Sequence, residues 1–241
     1  MTHVTLLKTG ETFEELKETE GCYETWFETV VGQHASSWTV VDVFHGDPLP
    51  SVETIDMLLI TGSPISVYEY RPWSVKAGLW SVDVIRSGRP VLGICYGHQL
   101  IAESLGGKVK PATKGREMGA TFIEYLHVDP LFKNLNSPFK VWQTHIDEVA
   151  VLPPSTSDLN ISPIAFNHHC QYQALAIGSR CRTVQWHPEM NQAIMSFYVD
   201  ARQDVIDQAW GNGAAKRLKE SLPSHVESGS ILINNFFEAF V

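Results

Sequence analysis

Basic side chains are scarce in this sequence of 241 residues. Its 18 Lys and Arg residues are outnumbered by 27 Asp and Glu residues, which gives a formal net charge of −9. The sequence also contains no block of Lys or Arg. A protein that binds the phosphate backbone of nucleic acid normally carries a basic patch. We therefore exclude nucleic acid as the main partner.

Long apolar runs are also missing. Stretches such as Met57–Ile60 and Val91–Cys95 are short, whereas a membrane-spanning helix needs about 20 apolar residues. The first residues, MTHVTLLKTGE, lack the basic start and the apolar run that are typical of a secretory signal. We therefore expect no membrane association and a cytoplasmic, reducing location.

Cysteine is rare as well, with four residues at positions 22, 95, 170 and 181. None of them shows C-x-x-C spacing, so the sequence predicts neither a disulfide framework nor a zinc site. His168 and His169 precede Cys170, but neighbouring side chains in a strand point to opposite faces and share one ion poorly. We interpret this stretch as exposed surface.

Buried strands alternate with helices over the first hundred residues. Apolar or β-branched runs predict four strands, at His3–Leu7, Trp38–Phe44, Met57–Ile60 and Val91–Ile94. Helical spacing of apolar residues predicts a surface helix within Glu11–Gln33 and another helix over Trp73–Arg86. Strands that are apolar at every position are typical of a parallel sheet with helices on both faces. The pattern thus predicts an α/β fold.

The second half of the chain has a less regular pattern. Short runs separated by Pro and Asn predict antiparallel strands, at Ala120–Tyr125, Lys140–Trp142, Glu148–Leu152 and Tyr172–Ile177. Helices are predicted over Gln192–Leu218 and Ile231–Phe240. Because no repeat or linker is present, we expect a single domain over residues 1–241, with a core at about 4–197 and a C-terminal helical extension at about 198–241.

Cys95 lies where a predicted buried strand gives way to a helix. Glycines stand two positions away on each side, at Gly93 and Gly97, and such small neighbours permit a tight turn that lifts the central side chain out of the core. The nearby helix N-terminus favours a thiolate over a thiol. We predict that Cys95 is a nucleophile; the alternative is an ordinary buried core cysteine.

A cysteine nucleophile needs a base, and His187 is the best candidate among the ten histidines. It follows a short apolar run, and Pro188 favours extended geometry at this position. Glu189 is close enough in sequence to orient the imidazole through its second nitrogen. Spacing alone is weak evidence for a triad, and a surface loop is the alternative.

Gly93–Gln99, Gln185–Glu189 and the order Cys, His, Glu together resemble the class I (triad-type) glutamine amidotransferases. The resemblance extends from about Val4 to Phe197, and it is greatest to stand-alone proteins similar to the amidotransferase half of GMP synthetase. It implies a flavodoxin-like three-layer sandwich with a mostly parallel central sheet and a small antiparallel portion. It also implies that Cys95 attacks a glutamine γ-carboxamide, that ammonia leaves, and that water hydrolyses the resulting γ-glutamyl thioester.

The same resemblance implies roles for further residues. The backbone N–H groups of Ser63 and Tyr96 are the implied oxyanion donors, with Ser63 in place of a glycine that the family usually has there. This serine is strained only if the site requires a positive φ. The role of Arg116–Gly119, which matches a family segment, stays open. Substrate contacts are implied for Gly62, Gln99, Thr144, Ile146 and Asp147.

These residues lead us to predict a cysteine-dependent glutaminase that acts on a small molecule and needs neither a metal nor an organic cofactor. Because 52 residues follow Glu189, we expect no synthetase domain in this chain, and one hypothesis is a separate synthase subunit that takes the ammonia. A second hypothesis is a γ-glutamyl peptidase that acts on free γ-glutamyl compounds. A third is an inactive regulatory or binding module, which the presence of Cys95, His187 and Glu189 disfavours.

Overall fold

The computed structural model describes residues 2–241, in which eleven strands and eight helices are found. The strands are β1 (Thr2–Lys8), β2 (Ala35–Asp42), β3 (Met57–Ile60), β4 (Val91–Ile94), β5 (Lys108–Pro111), β6 (Glu117–Tyr125), β7 (Phe139–His145), β8 (Asp147–Val151), β9 (Ile161–Phe166), β10 (Ala174–Ile177) and β11 (Cys181–Val184). The helices are α1 (Glu14–Glu20), α2 (Tyr23–Val31), α3 (Pro72–Arg86), α4 (Tyr96–Ser104), α5 (Gln192–Asp200), α6 (Gln203–Trp210), α7 (Ala214–Glu220) and α8 (Ser228–Phe240).

Nine strands form one sheet, in the order β2-β1-β3-β4-β11-β10-β9-β6-β7. Strands β2, β1, β3, β4 and β11 are parallel, and the remaining four continue the sheet as antiparallel strands. Strands β5 and β8 form a separate antiparallel pair. The predicted α/β fold with a parallel centre and an antiparallel portion is confirmed. Most of the antiparallel strands, however, belong to the main sheet.

The central strands are buried because helices cover both faces of the sheet. Every residue of β3 is fully buried, and alternate residues along a strand point to opposite faces. Leu59 accordingly packs with Phe27 of α2 on one face, and Leu58 packs with Ile101 of α4 on the other. Burying a side chain of this size stabilises the fold by about 1.5 to 3 kcal/mol. These contacts fix the edge of the sheet at which β3 and β4 end.

The helices of the chain are interrupted more often than the sequence pattern predicts. The predicted surface helix within Glu11–Gln33 is two helices, α1 and α2, separated at Gly21, which has φ 76°. The predicted helix over Gln192–Leu218 is three helices, with breaks after Asp200 and around Gly211–Gly213. No helix within residues 2–241 has both the length and the apolar character that a membrane crossing demands.

The sequence predicts exposed surface for the stretch around Cys170, and for Cys170 itself this prediction is wrong. Its side chain is fully buried, and burial raises the pKa of its thiol. Helix α8 packs against the sheet through Leu232 and Phe236 in the same apolar cluster as Leu59. The division into a core at about 4–197 and an extension at about 198–241 stays a prediction.

Candidate active site

Cys95 occupies a strained turn between β4 and α4, at the edge where the parallel strands end. Its backbone has φ 50° and ψ −98°, a conformation that costs a non-glycine residue about 1 to 3 kcal/mol. Two backbone hydrogen bonds hold it. The Cys95 N–H donates to the carbonyl of Val184 at 2.8 Å, and the Cys95 carbonyl accepts from the N–H of Gln99 at 3.0 Å. The turn therefore belongs to the sheet and the helix together.

The two glycines that flank Cys95 allow α4 to lie close to the sheet. A Cβ atom on Gly97 would lie 2.8 Å from the carbonyl oxygen of Ile60, and one on Gly93 would lie 3.0 Å from the backbone of Gly97. Neither glycine has a positive φ, so close packing and not backbone conformation requires them. The N–H of Gly97 also donates to the carbonyl of Thr61 at 3.2 Å.

His187 and Glu189 form a buried hydrogen-bonded pair beside this turn. His187 Nδ1 lies 2.6 Å from Glu189 Oε1, and the backbone N–H of His187 donates to the carbonyl of Trp142 at 2.9 Å. Within residues 2–241, the buried Nε2 of His187 has no hydrogen-bond partner. One ring nitrogen is thus oriented by a carboxylate, and the other is free for a reacting group.

The charges around His187 favour its protonated form. Burial lowers the pKa of His187, but the carboxylate of Glu189 and the neighbouring Cys95 outweigh that effect and raise the pKa to about 10. An imidazolium is stabilised wherever negative groups lie close to it in a medium of low polarity. The neighbouring charges therefore favour a protonated His187 at neutral pH.

Gly62 and Ser63 follow β3 and lie next to these side chains. A Cβ atom on Gly62 would lie 3.1 Å from His187 Cε1 and 3.7 Å from Cys95 Cβ, which leaves little room for a side chain. Ser63 does not have a positive φ. A serine at this position, where the family usually has a glycine, is therefore not strained. Its hydroxyl donates to the carbonyl of Thr9 at 2.7 Å.

The backbone N–H groups of Ser63 and Tyr96 donate no hydrogen bond to any described residue. Tyr96 is the first residue of α4, and the first N–H groups of a helix have no partner within the helix. Two free donors at the edge of the site suit an oxygen that becomes negative during a reaction. Their role as oxyanion donors stays a prediction.

A cavity of about 180 Å³ brings several of the predicted residues together: Ser63, Cys95, Thr144 and His187 line it. The hydroxyl oxygen of Thr144 is buried and has no partner among the described residues. Other wall residues come from the segment just before α1, from α2, and from α5 and the turns on either side of it. Sequence reasoning missed them because no local motif marks them. They include Phe13, Tyr23, Met190, Tyr198 and Arg202.

Gln99, Ile146 and Asp147 lie outside the lining of this cavity. The amide of Gln99 is buried and donates to two oxygens, the carbonyl of Asp147 and Oε1 of Gln185, each at 2.9 Å. The side chain of Ile146 is exposed. The Asp147 carboxylate accepts hydrogen bonds from two hydroxyl groups, those of Ser66 and Tyr68. Substrate contacts of the three residues stay predictions.

Glu117 gives the Arg116–Gly119 segment a structural role that the sequence left open. Its buried carboxylate accepts from the side-chain amides of Gln173 at 2.9 Å and Asn167 at 2.5 Å. It also lies 3.0 Å from Nε2 of His145, whose Nδ1 lies 2.9 Å from the carbonyl of Asp147. Burial raises the pKa of Glu117, but the effects of His145 and Asn167 outweigh it and lower the pKa overall. Glu117 thus holds the end of β7 next to Thr144.

One group of carboxylate and imidazole side chains in residues 2–241 is compact enough to share a metal ion, namely Glu11, Asp42 and His45. The ammonium of Lys8, however, already lies 3.2 Å from Glu11, 3.3 Å from Glu24 and 3.2 Å from Asp42. A cation of the protein itself therefore balances these carboxylates. We assign no metal ligands here.

Comparison with protein families shows the class to which a protein with this fold and this cysteine turn belongs. The family model described as glutamine amidotransferase class-I matches residues 23–196. The chain belongs to the class I glutamine amidotransferase family, as the sequence resemblance predicts.

Individual relatives fall into two groups. The chain is 38% identical over 133 residues to a GMP synthase [glutamine-hydrolyzing] of Thermomicrobium roseum, with 55% of this chain and 23% of the relative covered. It is 32% identical over 188 residues to the enzyme of the same name from Pyrobaculum aerophilum, with 76% and 35% covered. It is 28% identical over 224 residues to gamma-glutamyl peptidase 3 of Arabidopsis thaliana, with 88% of each covered. The chain thus spans about a third or less of these GMP synthases.

Solved structures agree on the fold. A glutamine amidotransferase of Thermotoga maritima superposes with a TM-score of 0.73 at 19% identity, covering 98% of this chain and 96% of its own. A putative GMP synthase component of Thermoplasma acidophilum superposes with a TM-score of 0.66 at 20% identity, covering 99% and 94%. At these identities the likeness concerns the fold.

The Glu117 network leads to a stability prediction. Glu117→Gln removes a charged acceptor from three donors, and we expect it to lower the free energy of unfolding by about 1 to 3 kcal/mol at pH 7. Because the pKa of Glu117 is lowered by folding, its contribution is complete above the unfolded-state pKa of about 4.3 and is lost as the pH falls through the lower, folded-state value. Urea denaturation at several pH values measures both effects.

The matched control is Glu124→Gln, which changes an exposed glutamate of the same strand. We expect this variant to be as stable as the wild type. A Glu117→Gln protein that loses no more stability than the control, or whose deficit is the same at pH 7 and pH 3.5, contradicts the proposed role of the buried carboxylate.

Proposed function

We propose that this protein hydrolyses a small γ-glutamyl amide through a covalent γ-glutamyl thioester on Cys95. The observation that carries the proposal is that Cys95, in its strained turn, and His187 line the same cavity. One ring nitrogen of His187 is oriented by Glu189, and the other is free of partners within residues 2–241. Membership of the class I glutamine amidotransferase family supports the same chemistry. Glutamine is the first candidate substrate.

In the first half of the reaction, the thiolate of Cys95 attacks the γ-carbonyl carbon and a negative charge develops on the carbonyl oxygen. The N–H groups of Ser63 and Tyr96 are the donors that we assign to this oxygen, and a single donor of this kind is worth about 10²- to 10³-fold in rate. His187 then gives its proton to the leaving nitrogen. The C–N bond breaks, ammonia or an amine departs, and the thioester is left.

In the second half, water attacks the thioester carbonyl while His187, now neutral, accepts a proton from it. The C–S bond breaks, glutamate leaves, and the thiolate of Cys95 and the imidazolium of His187 are restored. Glu189 touches neither substrate nor water in this scheme. It holds the imidazole in place and stabilises its positive charge, as the third member of a triad does.

A second candidate function is hydrolysis of γ-glutamyl peptides. What favours it is the comparison with gamma-glutamyl peptidase 3, of which this chain covers 88%, against 23% and 35% for the two GMP synthases. Under the first candidate, the ammonia from glutamine passes to a separate synthase subunit, and a cytoplasmic location suits both. The two candidates share the thioester on Cys95 and differ in the amine that leaves.

Replacement of the nucleophile tests the shared step. We expect Cys95→Ala to lose at least about a thousandfold in turnover, because no other group in the cavity can form the thioester. Ammonia release from glutamine and glycine release from γ-glutamylglycine are measured in parallel, so that the preferred amine also becomes known.

Cys22→Ala is the matched control, since Cys22 is a partly exposed cysteine outside the cavity whose thiol pKa is raised by burial. It is expected to turn over both compounds like the wild type. A wild-type protein with reduced Cys95 that turns over no γ-glutamyl compound contradicts the proposed function and leaves the inactive-module hypothesis standing.

Glu189→Gln tests the orienting carboxylate through the pH profile. Because Glu189 raises the pKa of His187, the variant loses the imidazolium at lower pH than the wild type. The alkaline limb of kcat/KM for glutamine should therefore move to lower pH by about one unit or more, equivalent to about 1.4 kcal/mol, with a smaller loss of turnover than in Cys95→Ala.

Glu18→Gln, an exposed change in α1, serves as the control and should keep the wild-type profile. An alkaline limb that stays in place in Glu189→Gln would show that another group sets the charge of His187. Turnover as low as that of Cys95→Ala would mean that Glu189 does more than orient the base.

A further inference from the structure

The cavity that contains Cys95 has an unpaired cation in its wall. Arg202 lies between α5 and α6 and lines this cavity. Within residues 2–241, its Nη1 is buried and has no hydrogen-bond partner, and Arg202 takes part in none of the ion pairs found there. A guanidinium has five N–H donors and keeps its charge at any physiological pH.

Aromatic rings hold the guanidinium in position. The carbon at its centre lies 4.6 Å from the ring centroid of Tyr198 and 5.3 Å from that of Phe13. The hydroxyl of Tyr198 is itself fixed at 2.8 Å from the hydroxyl of Thr12. The attraction between a cation and a ring face holds the guanidinium in place but satisfies none of its N–H donors.

The surroundings are unfavourable for this charge in the absence of an anion. Burial lowers the pKa of Arg202, and the positive charge of Arg116 lowers it further, while Tyr198 and Tyr23 offset these effects only in part. Burial likewise lowers the pKa of Arg116, whose Nε is buried without a partner among the described residues. The guanidinium groups of Arg202 and Arg116 are thus both poorly solvated, and their positive charges repel each other. An anion bound beside Arg202 supplies an acceptor for its missing hydrogen bonds and weakens the repulsion.

The carboxylates of the site are already in use. Glu11, which lines the cavity, accepts from Lys17 Nζ at 2.5 Å and from Lys8 Nζ at 3.2 Å. Glu189 does not line the cavity, and its Oε1 is bound to His187. No described carboxylate of the cavity wall is thus left for Arg202, so an anion that enters the cavity can pair with it.

We propose that Arg202 binds a carboxylate group of the substrate in the cavity that contains Cys95. The inference rests on the proposed function for the identity of that substrate. A guanidinium and a carboxylate match in geometry and form two parallel hydrogen bonds. The carboxylate has two sources in a γ-glutamyl compound: the α-carboxylate of the glutamyl half, or the carboxylate of an amino acid that leaves as the amine.

Arg202 lies beyond residues 23–196, the part of the chain that the family model matches. The break between α5 and α6 after Asp200 brings it to the cavity, together with Tyr198 from the last turn of α5. This contact is therefore supplied by the C-terminal helices, separately from the turn at Cys95 and the pair of His187 and Glu189. It affects substrate choice and leaves the chemistry to those residues.

The kinetic test compares Arg202→Met and Arg202→Lys with the wild type on three amides. These are γ-glutamylglycine, γ-glutamylethylamide, which has no carboxylate on the leaving amine, and the α-methyl ester of γ-glutamylethylamide, which has no carboxylate at all. Loss of a hydrogen bond between charged groups should raise KM of Arg202→Met by about 10- to 100-fold for each substrate whose carboxylate binds Arg202. Arg202→Lys, which keeps the charge, should recover part of this loss.

The pattern of KM identifies the source of the carboxylate. A rise for γ-glutamylglycine alone assigns Arg202 to the leaving amino acid, and a rise for both carboxylate-bearing amides but not for the ester assigns it to the α-carboxylate. An equal rise for all three amides, or no rise for any, overturns the inference. Arg86→Met is the matched control, because it removes an exposed arginine that pairs with Asp158.

A second readout does not depend on turnover. Alkylation of Cys95 by iodoacetate is compared with alkylation by uncharged iodoacetamide, with the modified residue identified by mass spectrometry. In Arg202→Met the ratio of the two rates should fall by about tenfold or more relative to the wild type and to Arg86→Met. A melting temperature establishes that each variant is folded, and Arg202→Lys provides the comparison if Arg202→Met is not.

The two readouts separate failure of the inference from failure of the proposed function. If the wild type turns over no amide but the alkylation ratio still falls in Arg202→Met, the proposed function is wrong and the carboxylate site stands. If the wild type is active and neither KM nor the alkylation ratio changes in Arg202→Met, the proposed function stands and the carboxylate site is wrong.

Discussion

The backbone of Cys95 is the constraint on which the candidate site depends. A residue with φ 50° and ψ −98° keeps this conformation only when its surroundings impose it. Here the hydrogen bond from its N–H to Val184 joins the turn to the neighbouring strand, and the close approach of Gly97 to Ile60 joins it to the sheet from the helix side. The packing of the parallel half of the sheet therefore offsets the conformational strain of the turn. Loosening β3, β4 or α4 would affect the thiol first.

The strand order adds the second group of the site. Strand β11 lies directly beside β4, so the residues that follow these two strands emerge at the same edge of the sheet. Cys95 follows β4, and His187 follows β11 after a gap in sequence of about ninety residues. Neighbouring parallel strands thus convert a long separation along the chain into contact across a cavity. The buried Glu189 then supplies a negative charge that raises the pKa of His187.

Much of this arrangement was predictable from sequence, because its signals are local. Uniformly apolar Met57–Ile60 predicts a strand covered on both faces, and it is one. The glycines around Cys95 predict a tight turn between strand and helix, and the turn is there. Residues whose role depends on distant partners were not predictable in this way. The amide of Gln99, for example, is bound to Asp147 and Gln185, a contact that position in the helix does not reveal.

The helix breaks explain a further part of what the sequence did not predict. The pattern of Gln192–Leu218 is compatible with one continuous helix, because apolar periodicity depends on the helix faces and not on where a helix ends. The chain instead turns after Asp200, and Arg202 faces the cavity with Tyr198. A periodicity argument assigns such a residue to the solvated face of a helix. Arg202 is partly buried because α1, α5 and α6 pack together. Each of these helices contributes to or adjoins one side of the cavity wall.

The wall of the cavity and the reacting groups consequently come from different parts of the fold. Cys95 and His187 follow central strands and are fixed by the sheet, whereas Phe13, Tyr198 and Arg202 belong to peripheral helices and the turns beside them. Peripheral segments can change without disturbing the strained turn, because they make few of the contacts that hold it. Two members of one family can therefore share a reaction while recognising different amides. In this chain, the charge of Arg202 in the peripheral wall is the feature that we propose to select the substrate.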